Sequence, residues 1–446
     1  MKPSVTSMQE FVTIDQGSSL FEAASGCKLH RDPASGKVKF LPLGRWKGTL
    51  TNEDLPAKYI VLSEHLDMEG VKLMASFQKT RKLNCDELQR KVLNMTGAWR
   101  GGKFMPLTNR PSSLNNFCLA KVWFRCSSVN LRVCDLTKIT ANVKSWLFAD
   151  QLEKPEELIL HRPRKLGGLG LVHVQYKALS LLLRTFMETA VIPKYKHNQY
   201  HVALYLWHVE GRRDLTCPGQ PPYYDDSFFN SIRMIKQEGL LNIQTMSSGQ
   251  WYRVLLENNI THQVTNDVTT SKPCRIETYF PEVDWARSWT LASTPGLPSN
   301  LLAFLWKMIH NILPCPSRLF RLQMPNTTSD TCNLCDQGSA GDLSHCLLLC
   351  PYNDGAGQFL LNTLSQHVPN LHPQDVVHLN LNTGDKQLPL VYMRATILSQ
   401  IWSCRIEKKP CLLYSIRATL EAGINILRKS RHSEAADVLS VILATQ

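Results

Sequence analysis

Apolar residues return along most of this chain at helical spacing, and only rarely in alternation. After Asp86, Leu88, Val92 and Leu93 begin a helical pattern that Gly101-Gly102 interrupts. Ser113 stands where a hydroxyl can cap a helix carrying Leu114, Phe117, Val122 and Phe124. Asp135 is placed to cap the next, whose apolar face carries Ile139, Val143, Trp146 and Leu147. Residues 176–190 are strongly amphipathic, with Leu179, Leu182, Leu183, Phe186 and Met187 on one side. Beyond the boundary signal of Pro295 and Pro298, Leu301, Phe304, Leu305, Met308, Ile309 and Ile312 mark another helix face. The tail predicts helices over 388–408 and 412–431. The second closes on Arg428-Lys429-Ser430-Arg431-His432, where positive charge suits a helix carboxy-terminus.

Strand signals are few. A helix-like stretch from Phe21 breaks at Ser25-Gly26. Lys37 and Lys39 then alternate with Val38 and Phe40, as in a half-exposed strand. Tyr59 to Leu62 suggests a second short strand. Asp67-Met68-Glu69-Gly70 reads as a turn leading into Val71 and Leu73, which predicts a small hairpin. The expected class is mainly α with a few short strands.

Charge changes this picture by its placement. The net formal charge is +13. Residues 71–133 carry twelve cations: Lys72, Lys79, Arg81, Lys82, Arg90, Lys91, Arg100, Lys103, Arg110, Lys121, Arg125 and Arg132. Only Asp86 and Glu87 oppose them, a local net of +10. Such a field attracts a polyanion and gains by counterion release, which points to RNA or DNA. A solvated basic face or an anionic membrane surface are the other readings. Trp99, Trp123 and Phe124 lie in the same stretch. Exposed rings there can stack on bases, although helical spacing favours a core position for Trp123.

The first 16 residues hold no apolar run of the export type, and the densest apolar run, 179–183, is too short to cross a bilayer. No membrane partner is expected. Fourteen cysteines in 446 residues do not form a secreted disulfide pattern. They predict an intracellular protein, nuclear or cytoplasmic, with mostly reduced thiols and a few reserved for metal.

The sharpest chemistry is Cys332, Cys335, His345 and Cys350, a C-x2-C-x9-H-x4-C pattern. Two thiolates three positions apart can turn onto one ion, and the loop can return an imidazole and a third thiolate. The expected cofactor is structural zinc, with a buried cysteine cluster or redox use as the other readings. Cys346 competes as a ligand; Cys350 is preferred because its separation from His345 lets both face one metal.

Tyr223-Tyr224-Asp225-Asp226 looks like a polymerase metal-binding hairpin, but Pro221-Pro222 precludes a continuous strand before it. Asp226 or Ser227 reads better as a helix cap before Phe228, Phe229, Ile232 and Ile235. Cys217 and Cys274 sit in proline-flanked loops without a base. Gly167-Gly168-Leu169-Gly170 lacks the lysine and hydroxyl of a phosphate loop. It reads as a turn between helices, and no catalytic residue or catalytic magnesium site is expected.

Taken in order, these segments resemble the carboxy-terminal half of the reverse transcriptase polyprotein of non-long-terminal-repeat, LINE-like retrotransposons. Ala24-Ser25-Gly26-Cys27-Lys28-Leu29 resembles the piece after the catalytic hairpin. Residues 66–73 resemble the primer-gripping strand pair. Trp99-Arg100-Gly101-Gly102-Lys103-Phe104 and residues 114–125 resemble the thumb. Gly167 to Leu171, Lys177-Ala178-Leu179 and the cysteine–histidine motif resemble what lies beyond it.

The resemblance implies a residual palm edge and primer-grip hairpin over 15–75 and a helical thumb over 76–190. A connection over 191–295 and a helical zinc-binding region over 296–435 would follow. It implies a grip on an RNA or DNA primer-template by the basic block. Catalytic aspartates are expected just upstream of Phe21 and are not found there, so polymerisation by this chain alone is not expected. With no palm sheet behind the hairpin, Val71 and Leu73 are expected to face solvent, repack or meet a protein partner. The alternative function is a protein-interaction scaffold with a structural zinc site.

Overall fold

The computed structural model describes residues 65–68, 70–74, 76–99, 105–148, 155, 157–191, 199–214, 224, 226–237, 246–258, 275–381 and 387–445, with a few isolated positions before these. It is mainly helical. Two small sheets accompany the helices: β1 (Lys39–Phe40) pairs in parallel with β2 (Ile60–Val61), and β3 (Leu66–Met68) pairs antiparallel with β4 (Val71–Leu73). Gly70 turns the second pair at φ 84°, a left-handed conformation that glycine adopts without a Cβ penalty.

The hairpin does not wait for a palm sheet. It docks on α1 (Phe77–Ala98), where Val71 is buried and Leu73 half-buried. Asn84 fixes the junction: its Oδ1 accepts from the Lys72 backbone N–H at 3.0 Å, and its Nδ2 donates to the Lys72 carbonyl at 2.7 Å. A buried amide thus satisfies the strand edge that a neighbouring strand would otherwise cover.

The next helix is continuous but not uniform. α2 (Arg110–Ser113) runs through a π-helical segment, Leu114–Leu119, into α3 (Ala120–Ser128). Ser113 therefore lies inside a helix and caps nothing, because the chain is already helical from Arg110. Nor does the apolar face match the expected one. Leu114, Cys118, Leu119 and Val122 are fully buried, whereas Phe117 and Phe124 point outward. α4 (Val133–Leu147) starts after Arg132; Asp135 is three residues inside, accepting from the Arg132 backbone N–H at 3.1 Å. Its carboxylate still serves the helix start, from the other half of the capping exchange.

α5 (Glu157–His161) leads through a 3-10 turn, Arg164–Leu166, and the glycine loop into α6 (Val174–Ala190). The stretch expected as a connection carries α7 (Gln199–His208), α8 (Asp226–Gln237), α9 (Ser248–Asn258), α10 (Arg275–Tyr279) and α11 (Trp285–Ala292). Then come α12 (Ser299–Ile309), α13 (Pro316–Arg321), α14 (Ala356–Ser365), α15 (Pro373–His378), α16 (Gln387–Glu407), α17 (Leu413–Lys429) and α18 (Ser433–Ala444).

Two buried clusters organise these helices. One joins residues from Val71 to Ile442, so the helices α1–α4 and the carboxy-terminal helices share an apolar core. The other gathers one side of α6 with α7, α8 and α9, including Phe186, Phe228, Phe229, Ile232 and Trp251. The helix at Asp226 thus presents the residues expected of it, and Tyr224 packs in the same cluster. Tyr223 and Asp225 lie outside the described residues, as do Cys217, Cys274 and residues 101–104.

The glycine loop ties the two ends of the first cluster. The Gly167 carbonyl accepts from Trp306 Nε1 at 2.9 Å and faces His310 Nε2 at 2.7 Å. A Cβ on Gly168 would lie 1.9 Å from the Arg162 carbonyl oxygen, so only glycine fits. Arg162 in turn pairs with Glu277 at 2.8 Å, and Trp289 Nε1 donates to the same carboxylate at 2.8 Å.

Candidate metal centre and basic cleft

Local sequence builds the metal centre in two arms. Cys332 follows the Thr331–Ala340 bridge, and its N–H donates to the Ser339 carbonyl at 2.8 Å. Gly338, at φ 62°, lets this tight loop return. The second arm is a π-helical turn, His345–Leu349, whose entry is held by Asp342 Oδ1 accepting from the His345 N–H at 2.7 Å. Leu347 and Leu348 anchor that turn in the core. Cys350 ends it, donating its N–H to the His345 carbonyl at 2.8 Å.

The donor atoms of Cys332, Cys335, His345 and Cys350 all lie within 4.8 Å of one another. Cys332 Sγ and Cys350 Sγ are 3.8 Å apart, and Cys335 Sγ is 3.4 Å from His345 Nε2. A tetrahedral ion with metal–sulfur bonds of about 2.3 Å sets neighbouring sulfurs about 3.8 Å apart. The group can therefore hold a metal ion, and its donor set is compatible with zinc. Cys346 is not part of it. Its thiol is fully buried, outside the four-donor group, and burial pushes its ionisation up.

Sequence spacing did not reveal Arg405, which reaches in from α16. Its Nη2 lies 3.3 Å from both Cys332 Sγ and Cys346 Sγ. Burial pushes the Cys332 thiol up, but the hydrogen bonds from Arg405, the Leu334 backbone and His345 outweigh it and bring it down. Burial holds Cys350 up. The guanidinium thus compensates negative charge on a ligand set of three sulfurs, a role no local motif could announce.

A second group of potential ligands is Glu157, His161 and His173. Each already has a partner. Lys144 Nζ sits on the Glu157 carboxylate, His161 spans Glu157 Oε1 at 3.1 Å and the Leu171 carbonyl at 2.8 Å, and His173 Nδ1 accepts the Tyr176 N–H at 3.4 Å. These contacts make it a buried polar network tying α4, α5 and α6 together.

The basic residues divide by exposure. Lys79, Lys82, Arg90 and Lys121 are exposed and form no ion pair among the described residues. Lys91 is exposed and pairs with Glu87 at 2.9 Å. Lys72 is half-buried, beside Asp67 at 3.7 Å, and Arg81 faces Asp135 at 3.7 Å. Arg110 and Arg125 are drawn inward and leave the solvent-facing set. Arg110 donates to the Met105 and Leu147 carbonyls, each at 2.9 Å, and Arg125 pairs with Glu87 at 3.1 Å. Arg100 and Lys103 lie outside the described residues.

Trp99 packs against Trp146 at 5.4 Å between ring centroids, and Trp123 is half-buried against the core. Neither is free to meet a base. Phe124 is exposed and borders a cleft of about 550 Å³, lined also by Gly70, Lys91, Asn94, Met95, Lys121 and Arg125. The cleft lies between the hairpin turn, α1 and α3, and no acidic side chain among the described residues lines it. Among the described residues, no helix is long and apolar enough to cross a membrane. Neither models of known protein families nor the curated proteins contain a match to this chain.

Proposed function

We propose that this chain binds nucleic acid, RNA or a primer-template, through the cleft between the β3–β4 hairpin, α1 and α3. The observation that carries the reading is the cleft's charge: Lys91 and Lys121 line it, no acid among the described residues does, and Lys79, Lys82 and Arg90 add exposed cations on α1. Phosphates drawn there release counterions. In this reading the hairpin and the helices behind it act as the primer grip and thumb that the sequence resembles in LINE-like reverse transcriptases.

The second component is zinc at Cys332, Cys335, His345 and Cys350. Thiolate and imidazole donors favour it, and four protein ligands leave no open position for a reacting water. Its role is therefore to hold the two arms together.

The test is binding of the purified chain to a fluorescent RNA–DNA primer-template across increasing salt, with duplex DNA as comparison. Affinity should fall steeply with salt. Lys91→Gln and Lys121→Gln should each weaken binding and flatten the salt slope by about one counterion. Binding unchanged by these substitutions would remove the cleft from the reading. A scaffold role is favoured by one other observation, the exposure of Ile406, Tyr414 and Val441 on the carboxy-terminal helices. A stable protein partner held by a chain that binds no nucleic acid would support it.

A further inference from the structure

The helix bordering the cleft carries two outward phenyl rings with a lysine between them. Phe117 keeps 62% of its surface exposed and Phe124 keeps 46%. They stand seven positions apart on one continuous helix, Phe117 in its π-helical part and Phe124 in the α-helical part that follows. Lys121, exposed and three positions before Phe124 on the α-helical part, is its neighbour on the helix surface. Leu114, Cys118, Leu119 and Val122 of the same helix are fully buried. The helix has a core; the two rings are additional to it.

Single exposed apolar residues need no explanation. Two exposed aromatics on one helix, one of which, Phe124, lines a cleft together with Lys91 and Lys121, are a different arrangement. It combines a surface that stacks with charges that neutralise phosphate. In a duplex the base faces are already covered by neighbouring bases, so exposed rings gain little there. In an unpaired strand each base offers a free π-face.

Resting on the nucleic-acid reading above, we infer that the cleft is selective for single-stranded nucleic acid. Two bases stack on Phe117 and Phe124, and the phosphates between them are neutralised by Lys121 and, across the cleft, Lys91. An apolar peptide is the competing occupant, but it would have no use for the two lysines.

The experiment uses the full zinc-loaded chain with fluorescent oligo-dT and oligo-U strands and a blunt duplex of mixed sequence. The Phe117→Leu and Phe124→Leu variants keep exposed apolar bulk and remove the π-face; both positions lie on the surface, and circular dichroism checks the fold. Each should weaken strand binding about tenfold, the double variant more, while duplex binding changes less than about twofold. Phe124→Tyr, which still stacks, should bind like the parent. Strand binding unaffected by the leucine variants but weakened by Lys121→Gln would overturn the stacking inference and leave the nucleic-acid reading standing. Equal loss of strand and duplex would overturn strand selectivity. No binding of either probe by the folded parent chain would overturn both.

Discussion

At the scale of single residues, Arg405 changes the reading of the metal centre most. Three thiolates and one imidazole around a divalent ion leave a net negative charge in a half-buried place, and the guanidinium at 3.3 Å from Cys332 Sγ offsets it. The expected outcome for Arg405→Met is a chain that still takes up zinc but surrenders it to a competing chelator about tenfold more readily. His345→Ala should retain almost none after dialysis. Elemental analysis and chelator titration would read both; equal zinc retention by Arg405→Met and the parent would reduce the guanidinium to a packing role.

Ion pairs and helix phase decide the scale of elements. α1 and α3 are joined by Arg125, whose guanidinium is buried against Glu87. Burial raises the Glu87 carboxyl, but hydrogen bonds from Arg125 and Lys91 outweigh it and hold it at about 2. Glu87→Ala should therefore cost about 3 kcal/mol, because it strands a buried charge. Replacing both partners by apolar residues, Glu87→Leu with Arg125→Met, should recover most of that loss. Denaturant midpoints of the three chains measure it; a double variant no more stable than Glu87→Ala would mean that the stranded charge is not the cause of the loss. The π-helical turn belongs to this scale as well. It aims Asn115 at the glycine loop, where Nδ2 donates to the Gly170 carbonyl at 2.9 Å and Oδ1 accepts from the Val172 N–H at 3.0 Å.

Over the whole molecule, histidines packed among aromatic rings should make the fold sensitive to acid. His310 lies between Trp289 and Trp306, with ring centroids at 4.7 and 4.5 Å, and burial brings it down to about 4. His378 is likewise held at about 4 by burial and the nearby Arg394. Between 6.5 and 4 the unfolded chain binds more protons at these positions than the folded one. Their contribution to stability is thus complete above pH 6.5 and is lost as pH falls through about 4. The urea midpoint should decline across that window. His310→Gln, which can still donate to the Gly167 carbonyl, should make the decline shallower; an unchanged slope would show that other groups carry it. Because the first core joins α1 to α18, the transition should report the helices at both ends of the described chain together.

The sequence by itself determined the helical class, the Gly70 hairpin, the helices now α6, α8, α12, α16 and α17, and the four residues of the metal group. Each is written in local spacing: apolar residues about 3.6 apart, a glycine free to take positive φ, ligands on a short loop. Tertiary structure decided what local spacing does not encode. Arg405 reaches its sulfurs from a helix far along the chain. Asn84 binds the backbone of Lys72 from a neighbouring helix. Arg110 and Arg125 look identical to Lys79 and Lys121 in a charge count, yet carbonyls and Glu87 draw them inside. Phe117 and Phe124 share an apolar pattern with Leu114 and Val122, but the π turn shifts the helix phase across that stretch, and a helix has only one face to give the core. Whether an apolar or charged side chain faces inward depends on what stands opposite it, and that is fixed only when the helices meet.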